Sequence, residues 1–149
     1  MYRRPPGNAG QSVAEFAIVV PILLLLLFTI FDFARLFYAY NTLSNAAADG
    51  ARKAIVDQSL VPGQTYSVAA KEAADQATAL GLDPGDPTEV SVAYRSPNLS
   101  DPCPSRAIGC IAEVRVQYQF TAMTPLIGGF FPIKSVSAIS QMPIERTYP

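Results

Sequence analysis

Apolar residues are crowded into the first third of this chain. From Phe16 to Phe31 sixteen residues run without a charge, five consecutive leucines (Leu23 to Leu27) among them. Adding Val13 and Ala14 before Glu15, and Phe33 and Ala34 after Asp32, gives a mostly apolar run of about 20 residues, enough to cross a bilayer core. The run is apolar on every side, and a 149-residue chain has no interior large enough to hide such a helix. It therefore predicts a membrane-spanning helix. Pro21 lies inside it; proline is tolerated in membrane helices, and a modest bend is expected between Ala17 and Pro21. A cleaved signal peptide fits less well, because the small-residue site Ala46-Ala47-Ala48 lies about 15 residues beyond the apolar run.

The helical pattern continues past the membrane to about Gln58. Phe33, Leu36, Phe37, Tyr40, Leu43, Ala47, Ala51 and Ala54 recur at spacings of three and four and predict one apolar face. Arg35, Asn41, Ser44, Asn45, Asp49, Arg52 and Lys53 are placed opposite. Gly50 weakens the helix without ending it, and Pro62-Gly63 ends it. From Val13 to Gln58 this helix would be about 70 Å long. Its outer half needs cover, from the chain's own carboxy-terminal domain or from neighbouring subunits.

A second helix is predicted over Thr65 to Leu80, capped by Thr65 or Ser67 and stopped by Gly81. Three strands follow, at Glu89 to Arg95, Ile111 to Phe120 and Lys134 to Met142. The middle one alternates Ala112, Val114, Val116, Tyr118 and Phe120 against Glu113, Arg115, Gln117 and Gln119. The pattern predicts an α+β protein: a long amino-terminal transmembrane helix extending outside the membrane, a second helix, and a small antiparallel three-stranded sheet. Residues 1–10 form a basic leader, 11–34 the transmembrane helix, 35–61 its extramembrane continuation, and 62–149 an exported domain. The apolar loop Thr124-Pro-Leu-Ile-Gly-Gly-Phe-Phe-Pro is expected to complete the core, with contact to a membrane surface or partner as the alternative.

Composition narrows the chemistry. Half the chain is apolar and only 15% is charged, with a net charge of -1, which offers no electrostatic reason to bind nucleic acid. Histidine is absent, removing the usual general base and the commonest metal ligand. Asp83, Asp86, Glu89, Asp101 and Glu113 are scattered, with no metal, phosphate-loop or nucleophile-elbow spacing. We expect no enzyme activity, no cofactor and no metal. Arg3 and Arg4 precede the apolar run, and no acid comes before Glu15. The positive-inside rule then places the amino terminus in the cytoplasm and the carboxy-terminal domain outside, in a single-pass topology. Outside the cytoplasm Cys103 and Cys110 can oxidise, pinning the loop between the first two strands. A reactive thiol pair is the alternative.

The heptapeptide Gly10-Gln11-Ser12-Val13-Ala14-Glu15-Phe16 precedes the apolar run. It resembles the processing site of type IV prepilin-like proteins: a short basic leader, a glycine, four mostly small or apolar residues, then glutamate and an aromatic. The wider segments Gly10 to Leu24, Phe33 to Asn41 and Asn45 to Arg52 resemble TadE-like proteins of tight-adherence pilus systems, as does the Gly-rich loop after the second strand. The resemblance is strong over residues 10–53 and loose afterwards. It implies a pilin-like fold and a minor pseudopilin of a tight-adherence (Flp-type IV) pilus in the bacterial cytoplasmic membrane. It further implies cleavage between Gly10 and Gln11 by a prepilin peptidase. The implied partners are other pilins or pseudopilins, the assembly machinery and the lipid bilayer. Glu15, fifth in the mature chain, would set axial register by pairing with the new α-amino group of an adjacent subunit. The competing reading is an uncleaved, signal-anchored binding or scaffold protein of the envelope.

Overall fold

A computed structural model describes residues 9–103, 108–124, 129 and 135–145. Arg3 and Arg4 of the leader, and most of the Thr124 to Pro132 loop, lie outside the described residues.

Helix α1 runs from Ala9 to Val56, 48 residues without interruption, or about 72 Å at 1.5 Å per residue. Any bend at Pro21 therefore leaves the helix continuous. The most apolar eighteen-residue stretch of α1 is covered by none of the rest of the protein, so this helix is long and apolar enough to cross a membrane. It stops two residues short of the expected Gln58. There the Asp57 carboxylate accepts hydrogen bonds from the Ser59 N–H and hydroxyl, turning the chain outward and holding the Asp57 carboxyl below its ordinary pKa.

Helix α2 is shorter than its sequence pattern suggests. It spans Val68–Gln76, and a separate 3-10 turn follows at Thr78–Leu80. Ser67 is the cap, its Oγ accepting from the Ala70 N–H at 3.1 Å, which leaves Thr65 outside. At the far end the Thr78 hydroxyl donates to the Asp75 carbonyl, and Ala77 departs from helical geometry. This side-chain competition for a backbone acceptor breaks the predicted single helix. Gly81 stops the turn in the left-handed conformation (φ 66°), as expected.

Strands β1 (Val90–Arg95), β2 (Ile111–Gln119) and β3 (Ser135–Pro143) form an antiparallel sheet in the order β1-β2-β3. The architecture is α+β, as the sequence predicts. Pairing of Val90 with Val116 and of Val116 with Ala138 brings one row of apolar side chains onto the helices. Glu113, paired with Ala93 and Gln141, lies in an outer row. Its carboxylate holds Arg95 Nε at 3.3 Å and accepts from Gln141 Nε2 at 2.8 Å. Cys103 and Cys110 are joined in a disulfide with Cα atoms 6.1 Å apart. The bond sits at the end of the β1–β2 ladder, where the Cys103 N–H donates to the Tyr94 carbonyl and the Cys110 carbonyl accepts from Ile144 N–H. Closing so short a loop stabilises the fold by at most about 2.5 kcal/mol.

The core is built from small residues. Ala46, Ala47, Ala51 and Ala54 of α1 meet Ala69, Ala70, Ala73 and Ala74 of α2, and Val114, Val116 and Ala138 close the sheet side. Leu43 is the largest fully buried side chain that α1 contributes. Alanine lets the backbones approach closely, and this decides which face of α1 is covered. The aromatic positions of the predicted apolar face are not part of the core: Phe33, Phe37 and Tyr40 are exposed, while Asp32, Ala39, Ala46 and Gly50 are buried. The predicted stripe is right from Leu43 onward. Below that point it is rotated, because the sheet settles on the residues that let it come nearest.

Gly50 stands where α1, α2 and β2 converge. A Cβ there would lie 2.9 Å from Ala73 Cβ, 3.1 Å from Val114 Cγ1 and 3.2 Å from the Ala69 carbonyl oxygen. Alanine would improve helix propensity by about 1 kcal/mol, but overpacking against a backbone carbonyl costs about 1–3 kcal/mol. Gly50→Ala is expected to lower stability by roughly 1 kcal/mol net and Gly50→Val by more, as measured by thermal unfolding in detergent. A Gly50→Ala protein as stable as the parent would mean that α2 withdraws freely.

Candidate functional site: the helix start and the Asp32 clasp

Two places on α1 set polar groups beside its apolar run. The first is its start. Gly10 and Gln11 are exposed, and a Cβ built on Gly10 would meet no atom within 4 Å. Its backbone is not in the left-handed region. Among the described residues, neither packing nor backbone geometry calls for glycine at position 10. Five residues on, the exposed Glu15 accepts a hydrogen bond from Gln11 Nε2 at 3.1 Å. That contact is an i,i+4 pair along the helix surface, of the kind that contributes only a few tenths of a kcal/mol. The geometry brings Gly10, Gln11 and Glu15 together on two turns of one helix and leaves the Glu15 carboxylate open to a further partner.

The second is Asp32. Its side chain is 2% exposed although it lies at the end of the charge-free run. Oδ1 accepts from the Met123 N–H at 3.0 Å, and Oδ2 accepts from the Thr124 N–H at 2.8 Å and the Thr124 hydroxyl at 2.5 Å. Arg35, one turn further, places Nη1 3.8 Å from Oδ1 and its guanidinium 5.7 Å from the centre of the buried Phe120 ring. The chain leaving β2 thus folds back onto α1 and clasps the carboxylate with three donors. A buried carboxylate needs such partners, since an unpaired charge would cost several kcal/mol.

Sequence reasoning missed this clasp. It read Asp32 as the charge that interrupts the apolar run after Phe31. A lone acid in an apolar helix is itself a signal for a buried partner, but the partners lie 91 and 92 residues away. Among the scattered acids, Asp83 and Asp86 serve their own turns, accepting from Gly85 N–H and from Thr88 respectively. The Thr88 bonds hold the Asp86 carboxyl below its ordinary pKa. Glu89 reaches back to the Asp83 N–H, and Asp101 accepts from the Ser100 hydroxyl.

Between α1 and the start of β3 lies an apolar groove lined by Phe33, Leu36, Phe37, Tyr40 and Val136. Its aromatic wall is the part of the helix that the sheet leaves uncovered.

The family model for TadE-like protein matches residues 10–52. No curated protein and no solved structure matches the chain. The matched segment begins at the exposed glycine, includes Glu15, Asp32 and Gly50, and ends four residues before the end of α1; over that segment, under a third of its length, this chain is similar to TadE-like proteins.

Proposed function

We propose that this chain is a minor pseudopilin-like structural subunit of a tight-adherence pilus, anchored in the membrane by α1 and processed by a prepilin peptidase between Gly10 and Gln11. In this reading it is a non-catalytic assembly component. The amino terminus faces the cytoplasm, the sheet domain lies outside, and the partners are the peptidase and neighbouring pilins or pseudopilins.

Gly10 carries the reading. The TadE-like match starts at this residue, and its surroundings give no internal reason for glycine. The constraint then comes from another molecule, and a peptidase cleft that admits only an unsubstituted backbone supplies one. In α1 the Gly10–Gln11 bond is helical, so cleavage requires local unwinding of the first turn. Helix ends unwind readily because their first N–H groups lack intrahelical acceptors.

Peptide mass spectrometry of the protein from its native membrane tests this. The expected mature chain begins at Gln11. A chain beginning at Met1 or Tyr2 would make α1 an uncut anchor and refute the processing.

A further inference from the structure

The charge-free run from Phe16 to Phe31 measures only about 24 Å as a helix, short of a hydrocarbon core of about 30 Å. The Asp32 clasp resolves the shortfall. Because that carboxylate is turned into the protein, it does not end the lipid-facing surface of the helix. Arg35 leans toward Asp32 and Phe120, with its side chain 45% exposed. The exposed surface of the helix continues through Phe31, Phe33, Phe37, Tyr38 and Tyr40, part of it bordering the groove beside the start of β3. The first uncharged polar side chain beyond them on that side is Asn41, also exposed. From Phe16 to Tyr40 this surface is about 38 Å long, which matches the hydrocarbon core plus part of one interfacial layer.

We propose that lipid contact extends past residue 34 to Tyr40, with Phe33, Phe37, Tyr38 and Tyr40 seated in the outer interfacial layer of the bilayer. This rests on the reading of α1 as a membrane span. The occupant of the aromatic face is lipid because the face is continuous with the span and shares its apolar character. Aromatic rings, tyrosine above all, are enriched at that depth, where one end of the ring is apolar and the other wet. Asp32 and Arg35 then lie at or just below the membrane surface, and the sheet domain rests on the bilayer with Met123, which is 77% exposed, at its rim.

The chain contains no tryptophan, so single substitutions report depth directly. Full-length Leu26→Trp, Phe37→Trp and Val56→Trp proteins would be reconstituted at low density into phosphatidylcholine vesicles. The lipid chains would be brominated near the headgroup or near the chain end. Leu26→Trp is expected to lose most intensity with deep bromine, Phe37→Trp with shallow bromine, and Val56→Trp with neither. The Phe37→Trp emission maximum is expected to lie to the blue of Val56→Trp. Quenching of Leu26→Trp with a water-like, unquenched Phe37→Trp would overturn the proposal while leaving the span intact. A blue-shifted but unquenched Phe37→Trp would mean that a second copy covers the face, and would also overturn it. An unquenched Leu26→Trp would instead remove the span itself.

Discussion

Replacing Glu15 with alanine is expected to leave the protein inserted in the membrane and the cell without pili. Insertion depends on apolar length, which the substitution increases slightly by removing the charge that interrupts the run between Ala14 and Phe16. Assembly is different. In α1 the Glu15 carboxylate has the Gln11 amide as its partner, through one exposed hydrogen bond. A carboxylate near the bilayer is costly unless it is neutralised, and in the proposed pilus the α-amino group of an adjacent subunit does this. Removing the carboxylate removes the attraction that aligns one subunit on the next, and no other charged group lies between Gly10 and Phe31 to replace it. Electron microscopy of cells carrying Glu15→Ala, beside membrane fractionation, would check both halves. Normal piliation would show that Glu15 does not set register. Glutamine matches glutamate in size but carries no charge, so the Glu15→Gln protein separates the two: a defect as severe as that of alanine would assign the role to the charge.

Asp32→Ala is expected to release the segment around Met123 and Thr124 while the sheet stays folded. Alanine removes the acceptor for two backbone N–H groups and one hydroxyl at once. Each orphaned donor costs about 1–3 kcal/mol if it stays buried. The segment escapes most of that by opening to water, so the net loss is about 3 kcal/mol of local docking. Hydrogen exchange should read this as about a hundredfold loss of protection at the Met123 and Thr124 amides, since about 1.4 kcal/mol corresponds to tenfold. The β1–β2 and β2–β3 ladders, whose hydrogen bonds do not involve Asp32, should keep theirs. Asp32→Asn retains an acceptor oxygen and should fall between. Unchanged exchange in Asp32→Ala would mean that Phe120 and the strand alone hold the segment down.

The parts of this fold that could be read from the sequence are those with a local cause. The alternation from Ala112 to Phe120 marks β2 because successive side chains point to opposite faces. The stop at Gly81 follows from its left-handed backbone. What escaped was decided by contacts distant in sequence. Periodicity gives the faces of α1 but does not say which of them a sheet will cover. Phe33, Phe37 and Tyr40 share the predicted apolar face with the alanines, yet the alanines form the core because they allow a closer approach. Gly50 reads in sequence as a weak point in a helix; its reason is Ala73 and Ala69 on another helix. In the candidate site, Gly10 and Glu15 stand out in the sequence because they share one contiguous motif, whereas the Asp32 clasp depends on a return of the chain from the end of β2.

The absence of any break between Ala9 and Val56 makes α1 a rigid shaft that carries phase as well as position. Glu15 and the sheet domain are fixed at one angular offset around a common axis. Each residue added or removed in the leucine run would turn one against the other by about 100° and move them about 1.5 Å apart or together. Hydropathy is indifferent to such a change, but the azimuth at which the domain meets its neighbours is not. On this geometry the five leucines can exchange for other apolar residues more freely than they can change in number.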